Sequence, residues 1–308
     1  MLRAPGLFIC GLILCALPVH AQLALAQRQV AAGQCSDAVA NLGTLLHGKT
    51  KPEILAYQML GYCYRELRQP EQAENAFREG LRIWPGSPPL ERALGELLFQ
   101  RQYDSSEAGA LLERATRTMP RDPEAKHYYA QWASLNARDR ICAKQEQEAL
   151  ALPGLNDLAA LQMNTLLGMC SGRIEDEQGA RAAFDRAATI NNRQNSYDPV
   201  AAMEYVQFLI RYNDNQRAAS VVDEILKRVP EFGPAHLQRA RFLDQAGEQR
   251  RAVDEARNAL ASRGNDLNSE RAAHVLLARC LSVLGQTADA ETEQQWIRDH
   301  PNPETAHP

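Results

Sequence analysis

The sequence is poor in the residues that build sheets and in the constellations that carry most chemistry. β-Branched residues are sparse and aromatics make up only 6% of the 308 residues, which argues against a strand-built fold. Charge of one sign is missing as well. Lys+Arg number 34 against 38 Asp+Glu, a formal net charge of −4, and this balance gives no electrostatic case for nucleic acid. His47, His127, His236, His274, His300 and His307 are scattered, with no H-x-x-x-H, C-x-x-C or haem-attachment spacing, so no metal or haem site is expected. No G-x-S-x-G elbow is present. What the chain does have is alanine, leucine, arginine, glutamate and glutamine in quantity, with 45% hydrophobic residues. That composition favours helix and supplies apolar material for one large domain or a repeat array.

Long apolar runs are absent except at the N-terminus. Arg3 precedes the run Leu7–Leu17, and Val19 and Ala21 follow in "PVHA". This is the layout of a secretory signal peptide over residues 1–21, with cleavage expected after Ala21. The alternative is an uncleaved membrane anchor, but eleven apolar residues fall short of the ~20 a span needs. Neither Cys10 nor Cys15 follows the small residue that a lipoprotein site wants. The expectation is an exported protein, periplasmic or secreted, with no stable membrane span after cleavage.

The rest of the chain repeats itself. From Gly61, the residues Ala73, Phe77 and Gly80 lie at offsets 12, 16 and 19, with Pro85 at 24. Gly168, Ala180, Phe184 and Ala187 give the same three offsets, as do Val206, Ala218, Val222 and Ile225, and Ala240, Ala252, Ala256 and Ala259. The spacing suits a helical hairpin. A small residue inside the first helix lets the second approach, and the second presents one face at a 3.6-residue period. One hairpin cannot bury both its faces, so neighbours must stack.

Residues 54–87 resemble a tetratricopeptide repeat, with Tyr57, Leu60, Gly61, Tyr64, Ala73, Phe77, Gly80 and Pro85 on the signature positions. The frame tiles the chain as about eight units: 22–53, 54–87, 88–122, 123–160 (degenerate), 161–194, 199–232, 233–266 and 271–304. Short insertions are expected at 195–198 and 267–270, and a loose tail at 305–308. The resemblance implies an all-α fold, a right-handed superhelical solenoid of stacked antiparallel helix pairs.

Five cysteines follow the expected cleavage point. Cys35 and Cys63 are 28 residues apart, and so are Cys142 and Cys170. In the repeat frame each pair places the start of one second helix beside the end of the next first helix, within reach of a disulfide. Export permits such bonds, so Cys35–Cys63 and Cys142–Cys170 are expected disulfides and Cys280 an expected free thiol. The plainer reading is that cysteines fill small buried helix positions as alanine would.

Strings that imitate chemistry do not hold up. "GTLLHGKT" (43–50) matches the phosphate-loop pattern letter for letter, but helical periodicity precedes it where a strand is required. "SVVDE" (220–224) also reads as helix, so no nucleotide is expected. The run Glu175–Glu177 reads as a solvated turn. No cofactor and no catalytic residue are predicted.

The resemblance implies binding along a concave groove lined by the first helices. The positions that face it are Gln58, Tyr62, Arg65, Arg92, Glu96, His127, Gln131, Arg173, Gln207, Arg211, Arg241 and Arg279. The expected groove is polar and mildly basic, suited to peptide backbone and carboxylates, although these residues could merely solvate an idle face. The lysine–asparagine carboxylate clamp of chaperone-binding relatives is not matched. The leading expectation is a non-catalytic exported scaffold for another envelope or secreted protein or peptide. The alternative is an accessory subunit of a cell-envelope assembly or polysaccharide-export complex.

Overall fold

The computed structural model describes residues 19–46, 53–262 and 267–301. Residues 1–18 of the expected leader at 1–21, residues 47–50 of the phosphate-loop-like string and the expected tail at 305–308 lie outside them. All elements among the described residues are α-helices: α1 (Val19–Ala31), α2 (Cys35–Leu46), α3 (Ile54–Glu66), α4 (Pro70–Ile83), α5 (Pro88–Arg101), α6 (Ser106–Thr118), α7 (Pro123–Leu135), α8 (Asp139–Leu150), α9 (Asp157–Arg173), α10 (Glu177–Arg193), α11 (Pro199–Arg211), α12 (Asn215–Arg228), α13 (Gly233–Gln245), α14 (Gln249–Ala261), α15 (Leu267–Val283) and α16 (Thr287–Asp299). None is long and apolar enough to cross a membrane.

Local chemistry sets where these helices start and turn. Pro70, Pro88, Pro123 and Pro199 each open a helix, where the missing N–H costs nothing. The side chains of Ser105, Asp122, Asn156, Asp176 and Asp198 cap first-turn amides. Among the described residues six packed helix pairs carry one left-handed residue in their turn at a fixed register, and the α5–α6 turn has none. Gly33, Gly247 and Gly285 supply it freely, whereas Arg68, Glu175 and Asn213 adopt it at φ 58°, 63° and 60° and carry the cost of a Cβ there.

The chain forms two compact units, residues 1–136 and 137–308. In the first, α1 to α6 form three antiparallel pairs, with α7 packed against α6 and α5. Its core runs from Leu23, Leu42 and Met59 to Tyr57, Phe77, Leu90 and Leu94. In α1 the buried residues Leu23 and Ala26 follow Ala21, so cleavage there would leave them in place. In the second unit, α9 packs on both α8 and α10, and the pairs α11–α12, α13–α14 and α15–α16 follow. Its cores centre on Phe184, Tyr205, Phe208 and Leu209 and on Leu237, Leu276, Leu277 and Leu281.

The recurring small residue has a visible purpose. A Cβ on Gly61 would stand 2.2 Å from the Phe77 ring, and one on Gly168 would stand 2.7 Å from that of Phe184. At the same register Val206 and Val222 share one core cluster, and Ala240 and Ala256 another, with no phenylalanine at the position of Phe77 and Phe184. Two boundaries differ from the sequence frame. Residues 267–270 form the first turn of α15, and α9 starts at Asp157, because Asn156 caps it by accepting from the Ala159 amide at 2.8 Å.

Candidate functional site

The first helices of each unit carry the residues singled out for binding, and their charges are disposed differently in the two units. In the first unit, Arg65 on α3 donates to Glu96 on α5 at 2.7 Å, and to Gln100 at 3.4 Å. Glu96 is buried, only 6% exposed, and Gln100 also donates to it, at 3.3 Å. The Tyr128 hydroxyl joins this group. Burial first, then the charge and hydrogen bond of Glu96, push its pKa above the usual phenol value. Arg92 is paired with Glu124 and lies 3.6 Å from Asp122. His127 is buried and 3.0 Å from the Gln131 amide. Gln58 is half-buried and Tyr62 exposed. The expected basic character is therefore corrected for this unit. Arg65 and Arg92 are engaged by acids of the neighbouring repeat, and the face is a closed polar network.

The second unit differs. Arg173 pairs with Asp139 at 2.7 Å and also donates to Cys170 Sγ at 3.3 Å. Arg279 pairs with Asp244. Asp244 accepts from the Cys280 thiol as well, at 3.4 Å. Burial, followed by that hydrogen bond, pushes the thiol pKa to about 11, so Cys280 stays protonated near neutral pH. Arg211 and Arg241, by contrast, have no carboxylate within ion-pair distance among the described residues. Arg211 reaches only the Gly172 carbonyl, and Arg241 only the Gln238 amide oxygen, each at 3.4 Å. Both residues are exposed overall, although partial burial of the Arg241 guanidinium pulls its pKa below the ordinary value.

Each of these two arginines borders a hollow between first helices. Between α9 and α11 a small hollow of about 90 Å³ is lined by Gly168, Met169, Glu204, Gln207, Phe208 and Arg211 among others. Burial raises the Glu204 pKa above the ordinary value against the pull of Arg173. Between α13 and α15 an open groove of about 430 Å³ is lined by Arg241, Asn268, Ala272, Val275 and Arg279 among others. The exposed Gln207 stands in the first hollow. Free guanidinium beside small side chains and an amide is chemistry for holding a carboxylate and a peptide backbone.

The cysteines also differ between units. Cys142 on α8 and Cys170 on α9 are joined in a disulfide, with Cα atoms 6.1 Å apart. Cys35 and Cys63 are both free and buried, which corrects the expected Cys35–Cys63 bond. The two share one apolar cluster with Ala38. Burial, then the hydrogen bond with Cys35, pushes the Cys63 pKa up to about 12.

The strings that imitated chemistry fold as structure. Gly43 and Thr44 lie inside α2, where Thr44 donates to the Ala40 carbonyl at 3.2 Å, and Ser220–Glu224 lie inside α12. Among the described residues no three His, Cys, Asp or Glu side chains gather as metal ligands would. Sequence reasoning missed a repeated pair. His236 lies 2.6 Å from Glu255, and His274 contacts Glu293 at the same separation of 19 residues, tying first helix to second.

The family model for the tetratricopeptide repeat matches residues 54–85. Solved structures share the fold at low identity. PilF of Pseudomonas aeruginosa is 19% identical at a TM-score of 0.56, covering 70% of this chain and 95% of its own. PilW, described as a widely conserved type IV pilus biogenesis factor, is 16% identical at 0.57, covering 69% and 94%. A tetratricopeptide repeat protein from Parabacteroides merdae is 12% identical at 0.58, covering 84% and 98%. No curated protein sequence matches.

Proposed function

We propose, from the premise that this chain belongs to the tetratricopeptide-repeat family, that it is a non-catalytic scaffold. On this reading it holds an acidic, extended segment of another protein on the first-helix face of residues 137–301. The observation that carries the proposal is the pair Arg211 and Arg241, exposed cations without a carboxylate partner among the described residues. Each stands beside a hollow that a peptide could enter. Gln207 and Asn268 would bond backbone groups, while Arg173 and Arg279 stay with Asp139 and Asp244. The compartment we propose is the cell envelope or its exterior, on the strength of the N-terminal leader pattern.

A second reading is an accessory role in an envelope assembly. It is favoured by the shared fold with PilW, whose own description is a type IV pilus biogenesis factor. The test of the first reading is capture from envelope and secreted fractions with the mature protein and an Arg211→Glu, Arg241→Glu variant checked for folding by circular dichroism. A partner retained by the native protein and lost by the variant supports it. A partner retained by both refutes the arginine face and shifts weight to the accessory role.

A further inference from the structure

We infer a second binding site, on the opposite side of the helix pairs, that accepts the indole ring of a partner segment with a basic residue beside it. It is a cavity of about 270 Å³ between α10 and α12. It arises because residues 194–198 separate α10 from α11 while the side chains turned into the gap are small. Ala187, Ala188, Ala201 and Ala202 all border it.

The walls are built and held. Buried Asn191 clamps the linker through both its amide atoms, donating to the Asp198 carbonyl at 2.7 Å and accepting from the Asp198 amide at 2.8 Å. Arg228 donates to the carbonyls of Asn192 and Gln194 at 3.2 Å, and its guanidinium lies 5.3 Å from the centre of the Tyr197 ring. The floor is aromatic, with the rings of Phe184 and Tyr205 stacked at 5.3 Å. Its polar atoms are already engaged: the Tyr205 hydroxyl and Arg217 both donate to Asp185 Oδ1 at 2.5 Å. The interior therefore asks for an apolar guest. A dry cavity of about 150 Å³ takes benzene, so this one has room for a larger, two-ring system.

The mouth sets the charge of the guest. Arg217 is neutralised by Asp185, which leaves Glu224 as the lining carboxylate, and the contact of this half-buried group with the exposed Lys227 is a long 3.5 Å. Such a pair holds weakly, so a cation on the guest can replace Lys227. The Ser220 hydroxyl donates to the Gln216 carbonyl and keeps its lone pairs, so the mouth is rich in acceptors. The same register in the first unit repeats the arrangement, with Glu79 of α4 over a hollow lined by Leu46, Tyr57 and Leu60. Glu79 likewise pairs with an exposed cation three residues on, Arg82.

The test uses the mature protein and the peptide acetyl-Gly-Trp-Lys-Gly-amide carrying fluorotryptophan, followed by fluorine NMR. Saturable binding is expected. Ser220→Trp, an exposed substitution that fills the cavity, should weaken it at least about tenfold with circular dichroism unchanged. Glu224→Gln should weaken it about threefold, the size of an exposed ion pair, and should not affect the same peptide with Gln in place of Lys. No saturation up to millimolar peptide overturns the inference. Undiminished binding to folded S220W overturns it too, as does binding lost in the Arg211→Glu, Arg241→Glu variant but not in S220W.

Discussion

The two units dispose the named arginines of this surface differently. In residues 1–136 Arg65 and Arg92 are bound to acids of the next repeat, and a buried glutamate, Glu96, depends on Arg65. In residues 137–301 two of the four named arginines, Arg211 and Arg241, carry no such partner. The cysteines divide along the same line, Cys142–Cys170 bonded and Cys35 and Cys63 free, although both pairs have the same spacing of 28 residues. Equal register in a repeat therefore fixes where a side chain stands and leaves open whether it is available. Availability depends on what the neighbouring repeat places opposite.

The sharpest way to break this comparison is to delete one arginine from each unit. Arg65→Ala should destabilise the protein by about 3 kcal/mol, because it leaves Glu96 buried without its cation. Arg211→Ala should change stability by less than about 0.5 kcal/mol, the range of ordinary surface substitutions. Urea denaturation of the two variants side by side decides it, and equal losses would erase the distinction.

Thiol chemistry gives the next largest effect. Cys142→Ala with Cys170→Ala should cost about 2–4 kcal/mol by removing a cross-link over a 28-residue separation. Alanine at Cys35 involves no cross-link and should cost less. Titration of thiols in the denatured, unreduced protein truncated to begin at Gln22 should find three. A count of one would restore the Cys35–Cys63 bond, and a count of five would remove both.

How much of this was legible in the sequence can be read from particular residues. The fold was, because Gly61, Ala73, Phe77 and Gly80 recur as a spacing set, and the helix crossing at Gly61 and Phe77 is the physical reason for it. The membership of the binding face was legible as positions. Its charge was not, because each ion pair joins residues one repeat apart: 31 residues for Arg65–Glu96, 34 for Arg173–Asp139 and 35 for Arg279–Asp244. A signal was nonetheless present. No acid lies 31 to 35 residues from Arg241 in either direction. The acids at that distance from Arg211 have other uses: Asp176 caps α10, Glu177 pairs with Arg181 and Asp244 holds Arg279. The cavity between α10 and α12 was not legible, since four alanines and a short linker have no meaning until the helices are placed.

Smaller effects sharpen the repeat itself. Gly61→Ala and Gly168→Ala should each cost about 1–3 kcal/mol, since the new methyl group meets a fully buried phenylalanine ring. Gly61→Ala should be the worse of the two, because its contact is closer. At the left-handed turn position, Glu175→Gly should stabilise by about 1 kcal/mol by relieving a Cβ at φ 63°. Thermal melts of the three variants rank them, and a stabilising Gly61→Ala would contradict the packing account.

The central claim is that Arg211 and Arg241 are held free to bind. The most direct measurement is quantitative capture of partners from envelope and secreted fractions by the native protein, the Arg211→Glu, Arg241→Glu variant, and an Arg92→Glu control in the engaged network. The account predicts a partner retained by native protein and by whatever fraction of Arg92→Glu remains folded, and lost from the double variant. A partner retained equally by native protein and a folded double variant would contradict it.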